Sequence, residues 1–449
     1  MKRLSFLLII LMLFMFPIKR VQAVSNNTLN INSECSYILI DAKTGLVLAE
    51  NNADALIRPA STTKLLTAII ALEEGNLNKE VTVSQEAVFD IGDGGMNIGI
   101  MAGETNLTLE HMLNVMMVKS ANETANIIAE NVYPTRKAFI ERMNQRAKEL
   151  GATHTTFYNV CGMDDTEEYK KHLTTARDMV LMAKHAMTIP KFREIVKQEY
   201  YNELPATNKH TEWPPLRTSN KLLWDNNEYK YSKDSKEYTY TVTGIKTGYT
   251  SGAGNNLISS AVNEEGMELI AAVMNVKDGN NAVFQYTKAL YEYGFGNYTM
   301  ESVVKKNDVI ETVSVAKSKD GDKLPLVAEE DLKAVLPIGE NNLKIEKVKN
   351  INTNITAPIK QGQVLGTVEY IKNGVSIGKV NLIAAKSMEA RINLVFSTES
   401  KVFLGKGLFS WIIIILLLIY LFLLIRKSIR RSIRRKKRRK YMESRYKFK

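Results

Sequence analysis

Cysteine and histidine are scarce in this chain. Its 449 residues include two cysteines, Cys35 and Cys161, and five histidines. There is no Cys-x-x-Cys pair, no Cys/His ligand spacing and no His-Glu-x-x-His signature, so a zinc site is not expected. No other metal site and no cofactor is indicated. The two cysteines can pair outside a cell or remain as buried thiols, and the sequence leaves both possibilities open.

Several common catalytic signatures are also missing. The Gly-x-Ser-x-Gly motif of many serine hydrolases is absent, and the histidines lie in no recognisable catalytic setting, so we expect them to be ordinary surface or structural residues. The glycine-rich segment Gly92–Gly95 lacks the strand before it and the helix after it that a dinucleotide loop requires. It therefore predicts a flexible surface loop.

The excess of positive charge is confined to one end of the chain. The formal net charge is +12, but residues 426–449 contain 14 Lys or Arg and a single acid, Glu443. The remaining 425 residues hold 46 basic and 47 acidic side chains. Because the part that folds has no basic excess, binding to nucleic acid is not expected.

The N-terminus has the layout of a secretory signal. Lys2 and Arg3 precede an apolar stretch, Leu4–Phe16, and Val21-Gln22-Ala23 resembles a cleavage site. Residues 1–23 are therefore predicted to be a signal peptide. Two basic residues close to that site, Lys19 and Arg20, leave an uncleaved anchor as the alternative.

A second long apolar stretch lies near the C-terminus. Residues 408–425 are apolar except for Ser410 and Tyr420. As a helix these 18 residues would extend about 27 Å, enough to cross a bilayer core. The basic segment 426–449 would stay in the cytoplasm by the positive-inside rule. The sequence thus predicts a single-pass protein of the cell membrane, with the bulk of the chain outside the cytoplasm.

Two folded regions are predicted between these ends. Residues 24–297 have strand patterns at both ends and helical patterns between them, which indicates an α+β domain with an antiparallel sheet. Residues 298–400 have short β-type segments and turn residues, which indicates a small all-β domain. The predicted elements of the first domain are hairpins at 36–50 and 256–276, a strand at 238–246, and helices at 109–118, 125–129, 135–150, 175–187 and 281–295, with 200–236 as loops.

One Ser-x-x-Lys match opens a predicted helix. Pro59 precedes Ser61-Thr62-Thr63-Lys64, and apolar residues at helical spacing continue to Gly75, so the helix should begin near Ser61. Residues three apart share a helix face, which would place the Ser61 hydroxyl beside the Lys64 amine. The motif alone is weak evidence, because four further matches occur, at Ser302, Ser314, Ser376 and Ser444.

Two distant motifs single out this serine. Ser120-Ala121-Asn122 lies in a polar break between two predicted helices, and Lys246-Thr247-Gly248 lies in a predicted strand. Ser-x-x-Lys followed by Ser-x-Asn and Lys-Thr-Gly is the set that class A β-lactamases and penicillin-binding proteins carry. Two decoys, Lys43-Thr44-Gly45 and Ser25-Asn26-Asn27, precede the serine and lack this context.

Roles for the catalytic candidates follow from their chemistry. Ser61 is the nucleophile, and Lys64 can act as its base only when neutral, which burial and the nearby charge of Lys246 would favour by lowering its pKa. Ser120 can relay a proton to the leaving group, and Asn122 can hold both Lys64 and a substrate amide.

The third motif supplies the candidate substrate-binding residues. Lys246 offers a charge to an anion and Thr247 a hydroxyl to a substrate carboxylate. Gly248 would let a substrate lie along the strand. The oxyanion of the reaction would be met by the backbone N–H groups of Ser61 and Tyr249.

With these motifs, the chain resembles the D-alanyl-D-alanine carboxypeptidases, which are low-molecular-mass penicillin-binding proteins of the serine peptidase type. Supporting segments are Pro59–Lys64, Gly244–Thr250 and, in the β region, Ala357–Gln363. The resemblance implies a penicillin-binding or β-lactamase-like catalytic domain. It also implies removal of the terminal D-alanine from peptidoglycan stem pentapeptides through an acyl-enzyme on Ser61, with β-lactam antibiotics as covalent inhibitors.

Three segments depart from the family pattern. Asn159-Val160-Cys161-Gly162-Met163 stands where the family often has Asn-Pro-His-Gly-Leu, so Cys161 replaces a usual histidine. Gly92–Met96 replaces a serine-rich loop. The predicted span at 408–425 replaces an amphipathic C-terminal helix.

Two other functions remain as alternatives. A β-lactamase would share the three motifs, although no Glu-x-x-Leu-Asn segment lies between Ser120 and Lys246 to supply a deacylating carboxylate. A catalytically idle wall-binding protein could keep the fold, and the altered segments around Gly92 and Cys161 are the features that would suit it.

Overall fold

A computed structural model describes residues 29–339, 344–391 and 398–445, with side chains from 410 to 439 in the last range. The predicted signal peptide, 1–23, lies outside the described residues. The chain divides into two compact units, and the larger comprises Met1–Ser314, Lys323–Ile355 and Lys360–Ser387.

A six-stranded antiparallel sheet forms the centre of the α+β region. Its strands follow the order β2-β1-β8-β7-β6-β5, so the early hairpin pairs with the late one through β1 and β8. This confirms the predicted sheet assembled from the two ends of the region. The strands are β1 (Ser36–Asp41), β2 (Val47–Asn51), β3 (Tyr200–Tyr201), β4 (Leu216–Arg217), β5 (Glu228–Lys233), β6 (Lys236–Thr250), β7 (Gly254–Asn263) and β8 (Glu268–Val276), with β3 and β4 in a separate small pair.

Along the chain, most of the helices come after the early hairpin, β1 and β2, and before the late strands of the sheet, as predicted. The two helices that flank Ser120 are largely buried, and the second of them buries several polar residues along with its apolar ones. Thr108 caps the first of them by accepting a hydrogen bond from the backbone N–H of His111. The helices are α1 (Lys64–Glu74), α2 (Gln85–Phe89), α3 (Leu109–Val118), α4 (Asn122–Val132), α5 (Arg136–Glu149), α6 (Ala176–Ala186), α7 (Pro190–Val196) and α8 (Ala282–Asn297).

The prediction of loops throughout 200–236 is wrong. Strand β5 forms there and pairs with the first half of β6, from Glu228 opposite Thr241 to Lys233 opposite Lys236. The β5 sequence is polar apart from two tyrosines, so its strand character comes from pairing and from Tyr231 packing on the core. Helix α7 was also not predicted, although Pro190 occupies its first turn.

In the described residues of the predicted all-β region, 298–339 and 344–391, seven strands form. Five form an antiparallel sheet in the order β10-β11-β15-β14-β13, and β9 pairs with β12. Their bounds are β9 (Tyr298–Val304), β10 (Val309–Ser314), β11 (Lys323–Ala328), β12 (Leu332–Pro337), β13 (Glu346–Ile351), β14 (Val364–Lys372) and β15 (Val375–Ala384).

The smaller unit comprises Val315–Asp322, Thr356–Ile359 and Met388–Lys449. Within it, isolated bridges join Ser318 to Ala390 and Ile359 to Met388. Its long helix, α9 (Thr398–Arg445), contains one stretch, Ser410–Arg439, that is long and apolar enough to cross a membrane. The predicted apolar segment therefore lies in a helix that continues into the basic segment.

Neither cysteine forms a disulfide. Cys35 and Cys161 are free and buried, which resolves the alternative that the sequence left open. Burial raises the pKa of both thiols, to about 11 for Cys35, so both are protonated near neutral pH.

Candidate active site

Ser61 lies in a short 3-10 turn that leads into α1. The turn covers Ala60–Thr63 and α1 proper begins at Lys64, so the α-helix starts three residues later than predicted. In a 3-10 turn, residues three apart eclipse each other, which brings Ser61 and Lys64 together. Ala60 has a φ of +50°, an unfavourable conformation for a residue with a Cβ that the surroundings must impose.

Strands β6 and β7 impose this conformation. The Asn256 side chain on β7 donates hydrogen bonds to the carbonyl oxygens of Arg58 and Pro59, both at 3.0 Å. On β6, a Cβ placed on Gly248 would lie 3.0 Å from the Ser61 nitrogen and 2.9 Å from the Thr62 nitrogen. Only glycine lets the strand approach the nucleophile turn this closely.

A buried histidine supports the turn from another side. His172 contacts the Thr63 hydroxyl at 2.9 Å and accepts a hydrogen bond from the Tyr158 N–H. Burial lowers its pKa to about 3, so it stays neutral. The expectation of a structural role for this histidine fits its position, because the hydroxyl that it contacts belongs to Thr63 and not to the nucleophile.

Lys64 is fully buried and donates to three acceptors. Its Nζ lies 2.9 Å from Ser61 Oγ, 2.6 Å from Asn122 Oδ1 and 3.1 Å from the Cys161 carbonyl oxygen. Burial lowers the pKa of Lys64 to about 8, against the opposing influence of Cys161 and Glu123. A substantial fraction of this amine is therefore neutral near physiological pH.

Ser120 and Asn122 occupy the junction between α3 and α4. Ser120 has a φ of +67° and is buried, while Asn122 is the first residue of α4. The predicted polar break between helices is thus only three residues long. The Asn122 amide is fixed on both sides, because Nδ2 donates to the Ile91 carbonyl at 2.8 Å while Oδ1 accepts from Lys64.

The glycine-rich segment packs against this junction. The backbone N–H of Asn122 donates to the Met96 carbonyl at 2.7 Å, and a Cβ on Gly95 would overlap the Ile91 carbonyl oxygen and crowd the Asn122 amide. Gly92–Gly95 is therefore part of the wall of the site. Glycine is needed here for close approach, a reason that the interpretation as a separate surface loop missed.

Cys161 contributes its backbone to the site. Its carbonyl oxygen accepts a hydrogen bond from Lys64, and its buried thiol lies 3.6 Å from Asn159 Oδ1. The Asn159 side chain also accepts from the N–H of Gly162 at 2.6 Å and so holds this turn. Since the carbonyl belongs to the backbone, replacing the usual histidine by cysteine leaves this contact in place.

Lys246 lies on β6 and is as buried as Lys64. Burial and, to a smaller extent, the charge of Lys64 lower its pKa well below the ordinary lysine value. Its Nζ donates to the Thr247 carbonyl at 3.1 Å. Two buried amines therefore interact, and the charge of Lys64 makes protonation of Lys246 less favourable.

The second half of β6 has a free edge. Pairing with β5 ends at Thr241, whereas pairing with β7 continues to Thr250, so from Gly244 onward one edge of β6 carries no strand among the described residues. Tyr249 lies on this half with its side chain 62% exposed. An extended peptide could add to the sheet here.

Ser219 is a site residue that the motifs did not indicate. Its hydroxyl forms a hydrogen bond with the Thr247 hydroxyl. It lies in the Thr218-Ser219-Asn220 segment between β4 and β5, a region predicted from sequence to be loop. No sequence signal distinguishes it from other serines, because the contact depends on how that segment folds back onto β6.

Comparison with known proteins places this geometry in a family. Residues 21–278, more than half of the chain, match the family described as D-alanyl-D-alanine carboxypeptidase. The chain belongs to that family. Residues 298–390 match the C-terminal domain of penicillin-binding protein 5. The predicted fold, a penicillin-binding-protein-like α+β region followed by a β domain, is confirmed.

Named relatives agree with this assignment. The peptidase is 31% identical over 399 residues to the D-alanyl-D-alanine carboxypeptidase DacF of Bacillus subtilis (strain 168), covering 87% of this chain and 95% of that protein. It is 30% identical over 366 residues to DacC of Escherichia coli (strain K12), covering 79% and 84%. The predicted activity, that of a serine-type D-Ala-D-Ala carboxypeptidase, is therefore confirmed at the level of the family.

Solved structures show the same fold. Penicillin-binding protein 5 of Haemophilus influenzae superposes with a TM-score of 0.61 at 25% identity, covering 82% of this chain and 100% of that one. A peptidoglycan synthesis regulatory factor (PBP3) of Streptococcus pneumoniae gives a TM-score of 0.63 at 25% identity, covering 79% and 98%.

Proposed function

We propose that this peptidase removes the terminal D-alanine from peptidoglycan stem pentapeptides, with Ser61 as nucleophile and Lys64 as its base. The observation that carries the proposal is the 2.9 Å contact between Lys64 Nζ and Ser61 Oγ, made by an amine whose pKa is lowered to about 8. A base must lie within hydrogen-bond reach of the proton that it removes and be neutral when it acts, and Lys64 lies within reach with a substantial neutral fraction near physiological pH.

Acylation begins when the Ser61 hydroxyl gives its proton to Lys64 and its oxygen bonds to the carbonyl carbon of the penultimate D-alanine. The negative charge on the former carbonyl oxygen would be met by the N–H groups of Ser61 and Tyr249. When the C–N bond breaks, the departing D-alanine amine takes up the proton that Lys64 received from Ser61, with Ser120 as the proposed relay, and Lys64 is neutral again. Water, activated by Lys64, then hydrolyses the ester on Ser61.

The free edge of β6 would hold the substrate. A stem peptide added as a further strand would place its scissile bond beside the Ser61 turn, because Gly248 packs directly on that turn. The Thr247 hydroxyl, oriented by Ser219, would donate to the terminal carboxylate, and the negative charge of that carboxylate would favour protonation of the adjacent Lys246 amine. Asn122, beside Lys64, would bind a substrate amide.

β-Lactam antibiotics would react at the same serine. A β-lactam presents a strained amide where the stem peptide presents the D-Ala-D-Ala bond, so Ser61 would open the ring and remain acylated. Slow hydrolysis of that ester distinguishes a penicillin-binding protein from a β-lactamase.

The chain is proposed to be anchored at its C-terminal end. The boundaries are 1–23 for the signal peptide, 24–297 for the catalytic domain, 298–400 for the all-β domain, 408–425 for the span and 426–449 for a basic cytoplasmic tail. Helix α9 and its charge distribution support the last two. A membrane-impermeant thiol label should reach a cysteine introduced at residue 301 in intact cells, but one at residue 441 only after lysis. The opposite pattern would refute the topology.

The catalytic proposal is tested on the full-length protein in detergent. The protein and its Ser61→Ala variant are incubated with diacyl-Lys-D-Ala-D-Ala and with a labelled penicillin. Release of D-alanine and a long-lived label, both lost in Ser61→Ala, are expected. Rapid penicillin turnover would favour a β-lactamase instead, and the absence of both label and D-alanine would leave only a non-catalytic role.

A further inference from the structure

A buried carboxyl group belongs to the residue that follows Asn122, the side chain that binds the proposed base. Glu123 follows Asn122 in the first turn of α4 and is 1% exposed. Its Oε1 accepts a hydrogen bond of 2.7 Å from the Ile98 N–H. Its Oε2 is buried without a hydrogen-bond partner among the described residues. A buried carboxylate that is only half satisfied is costly, so it calls for a physical explanation.

The charged groups around this carboxyl are few. Burial raises the pKa of Glu123, and the Ile98 N–H and the charge of Lys64 on α1 oppose this rise. In turn Lys64 faces Glu123 and the Cys161 thiol, which raise its pKa, and it interacts with Lys246 on β6. Glu123 makes no direct salt bridge in the described part of the chain, so Lys64 and Glu123 interact through their charges without contact.

We propose that Glu123 is a positioning residue for the base: its buried carboxylate stabilises the Lys64 ammonium that forms when Ser61 gives up its proton, and so sets the pH range of acylation. This inference rests on the proposed function. The helix dipole alone would favour an acid in the first turn of α4 at the surface, but it gives no reason for burying that acid beside the active-site amide.

The position of Glu123 supports this role over simple packing. The consecutive residues Asn122 and Glu123 hold the segment Ile91–Ile98 at three points, since Asn122 also bonds to Ile91 and Met96. The segment that orients the Asn122 amide is thus fixed by the residue whose charge acts on Lys64. Two consecutive residues of α4 thus act on Lys64: Asn122 binds its amine, and Glu123 contributes the nearby negative charge.

The test compares Glu123→Gln with the unmodified protein. Glutamine keeps the acceptor for the Ile98 N–H but removes the charge. The second-order rate of acylation by labelled penicillin is measured from about pH 5 to pH 10. Loss of the carboxylate makes the Lys64 ammonium less stable, so the midpoint of the acidic limb should move down by about half to one pH unit. The plateau rate should fall, because the amine is then a weaker base.

A matched control is available in Glu104, an equally buried carboxyl. It bonds to the Met101 N–H and to His210 Nδ1 rather than facing Lys64. Glu104→Gln should leave the midpoint where it is in the unmodified protein. An unchanged midpoint in folded Glu123→Gln would overturn the inference while leaving the proposed function intact. Absence of labelling at every pH in the unmodified protein would instead refute the proposed function.

A second measurement does not require Glu123→Gln to fold. In Lys64→Met the carboxyl loses its cation, so Glu123 should take up a proton near neutral pH. The infrared difference spectrum between the unmodified protein and Lys64→Met should then contain the C=O band of a neutral buried carboxylic acid. Absence of that band in folded Lys64→Met would also overturn the inference.

Discussion

Asn122 Oδ1 lies closer to Lys64 Nζ than the Ser61 hydroxyl does, at 2.6 Å against 2.9 Å. The Asn122 amide can accept from Lys64 only because its nitrogen is turned toward the Ile91 carbonyl. The orientation of a single amide therefore determines how the base is held.

Replacing this amide by a carboxylate should make the base less available. In Asn122→Asp a negative charge would lie against Lys64 and raise its pKa, so the acidic limb of acylation should move to higher pH. At neutral pH acylation should fall by about 10- to 100-fold, since fewer amines are neutral and the bond to Ile91 is lost. The measurement is the pH dependence of penicillin labelling.

Asn131, at the far end of α4, provides the control for this change. Its amide also donates to two carbonyl oxygens, of Thr82 and Ile127. Asn131→Asp should lower stability somewhat without moving the acidic limb. If Asn122→Asp keeps the limb of the unmodified protein, the contact does not govern the base.

We expect Lys246 to lower the free energy of unfolding of this protein. Its pKa is lower in the folded than in the unfolded state, so folding loses stability as pH falls from 10.5, the ordinary lysine value, toward the folded-state pKa. Lys246→Met should raise the free energy of unfolding by about 1–2 kcal/mol at neutral pH and abolish acylation. In urea unfolding series, the gain should shrink as pH rises toward 10.5. A less stable variant at every pH would contradict this expectation.

Gly248→Ala should slow acylation by steric overlap alone. The added methyl group would meet backbone atoms of Pro59, Ser61 and Thr62 at 2.9–3.0 Å, and backbone cannot move aside as a side chain can. Acylation should fall by about 100-fold because the Ser61 turn shifts away from Lys64.

Gly374→Ala is the control for this change. Its methyl group would meet no atom within 4 Å, so it should acylate normally, although its φ of +78° makes alanine unfavourable there and should cost some stability. Equal acylation rates for the two variants would refute the explanation by close packing.

Cys161→Ala should retain acylation. The group that binds Lys64 is the Cys161 carbonyl, and the buried thiol is protonated and uncharged near neutral pH. We expect acylation within about threefold of the unmodified protein and a loss of roughly 1 kcal/mol in unfolding free energy from the small cavity. A large loss of acylation with normal stability would mean that the thiol itself takes part.

The sequence predicted secondary structure correctly where a residue type has a specific local role, such as capping a helix or forming a turn. Thr108 before an apolar helix, Pro59 before Ser61 and the turn between β7 and β8 all predicted elements that formed. Local pattern failed for β5 because its residues become a strand only against β6. Pairing energy from a partner strand is not encoded in the strand itself.

At the site, the sequence motifs identified candidate side chains but not the contacts that backbone atoms make. Two such contacts are the hydrogen bond to the Cys161 carbonyl and the packing of Gly248 on the Ser61 turn. Both involve backbone atoms that every residue has, so they cannot be recognised from a sequence motif. Ser219 and Glu123 were missed for another reason. Their importance comes from which groups the fold places beside them, namely Thr247 and Lys64.

The close packing of Gly248 on the Ser61 turn also limits how this peptidase could evolve resistance to β-lactams. A side chain at position 248 would press on backbone atoms of the Ser61 turn, so this contact leaves little room for substitution of Gly248. The side chains of Met96 and Tyr249 are exposed, so they can be substituted without displacing the turn. In variants selected on a β-lactam we therefore expect substitutions at these exposed positions, which weaken reaction with the inhibitor and also reduce activity on the natural substrate. We expect Ser61 itself to stay unchanged.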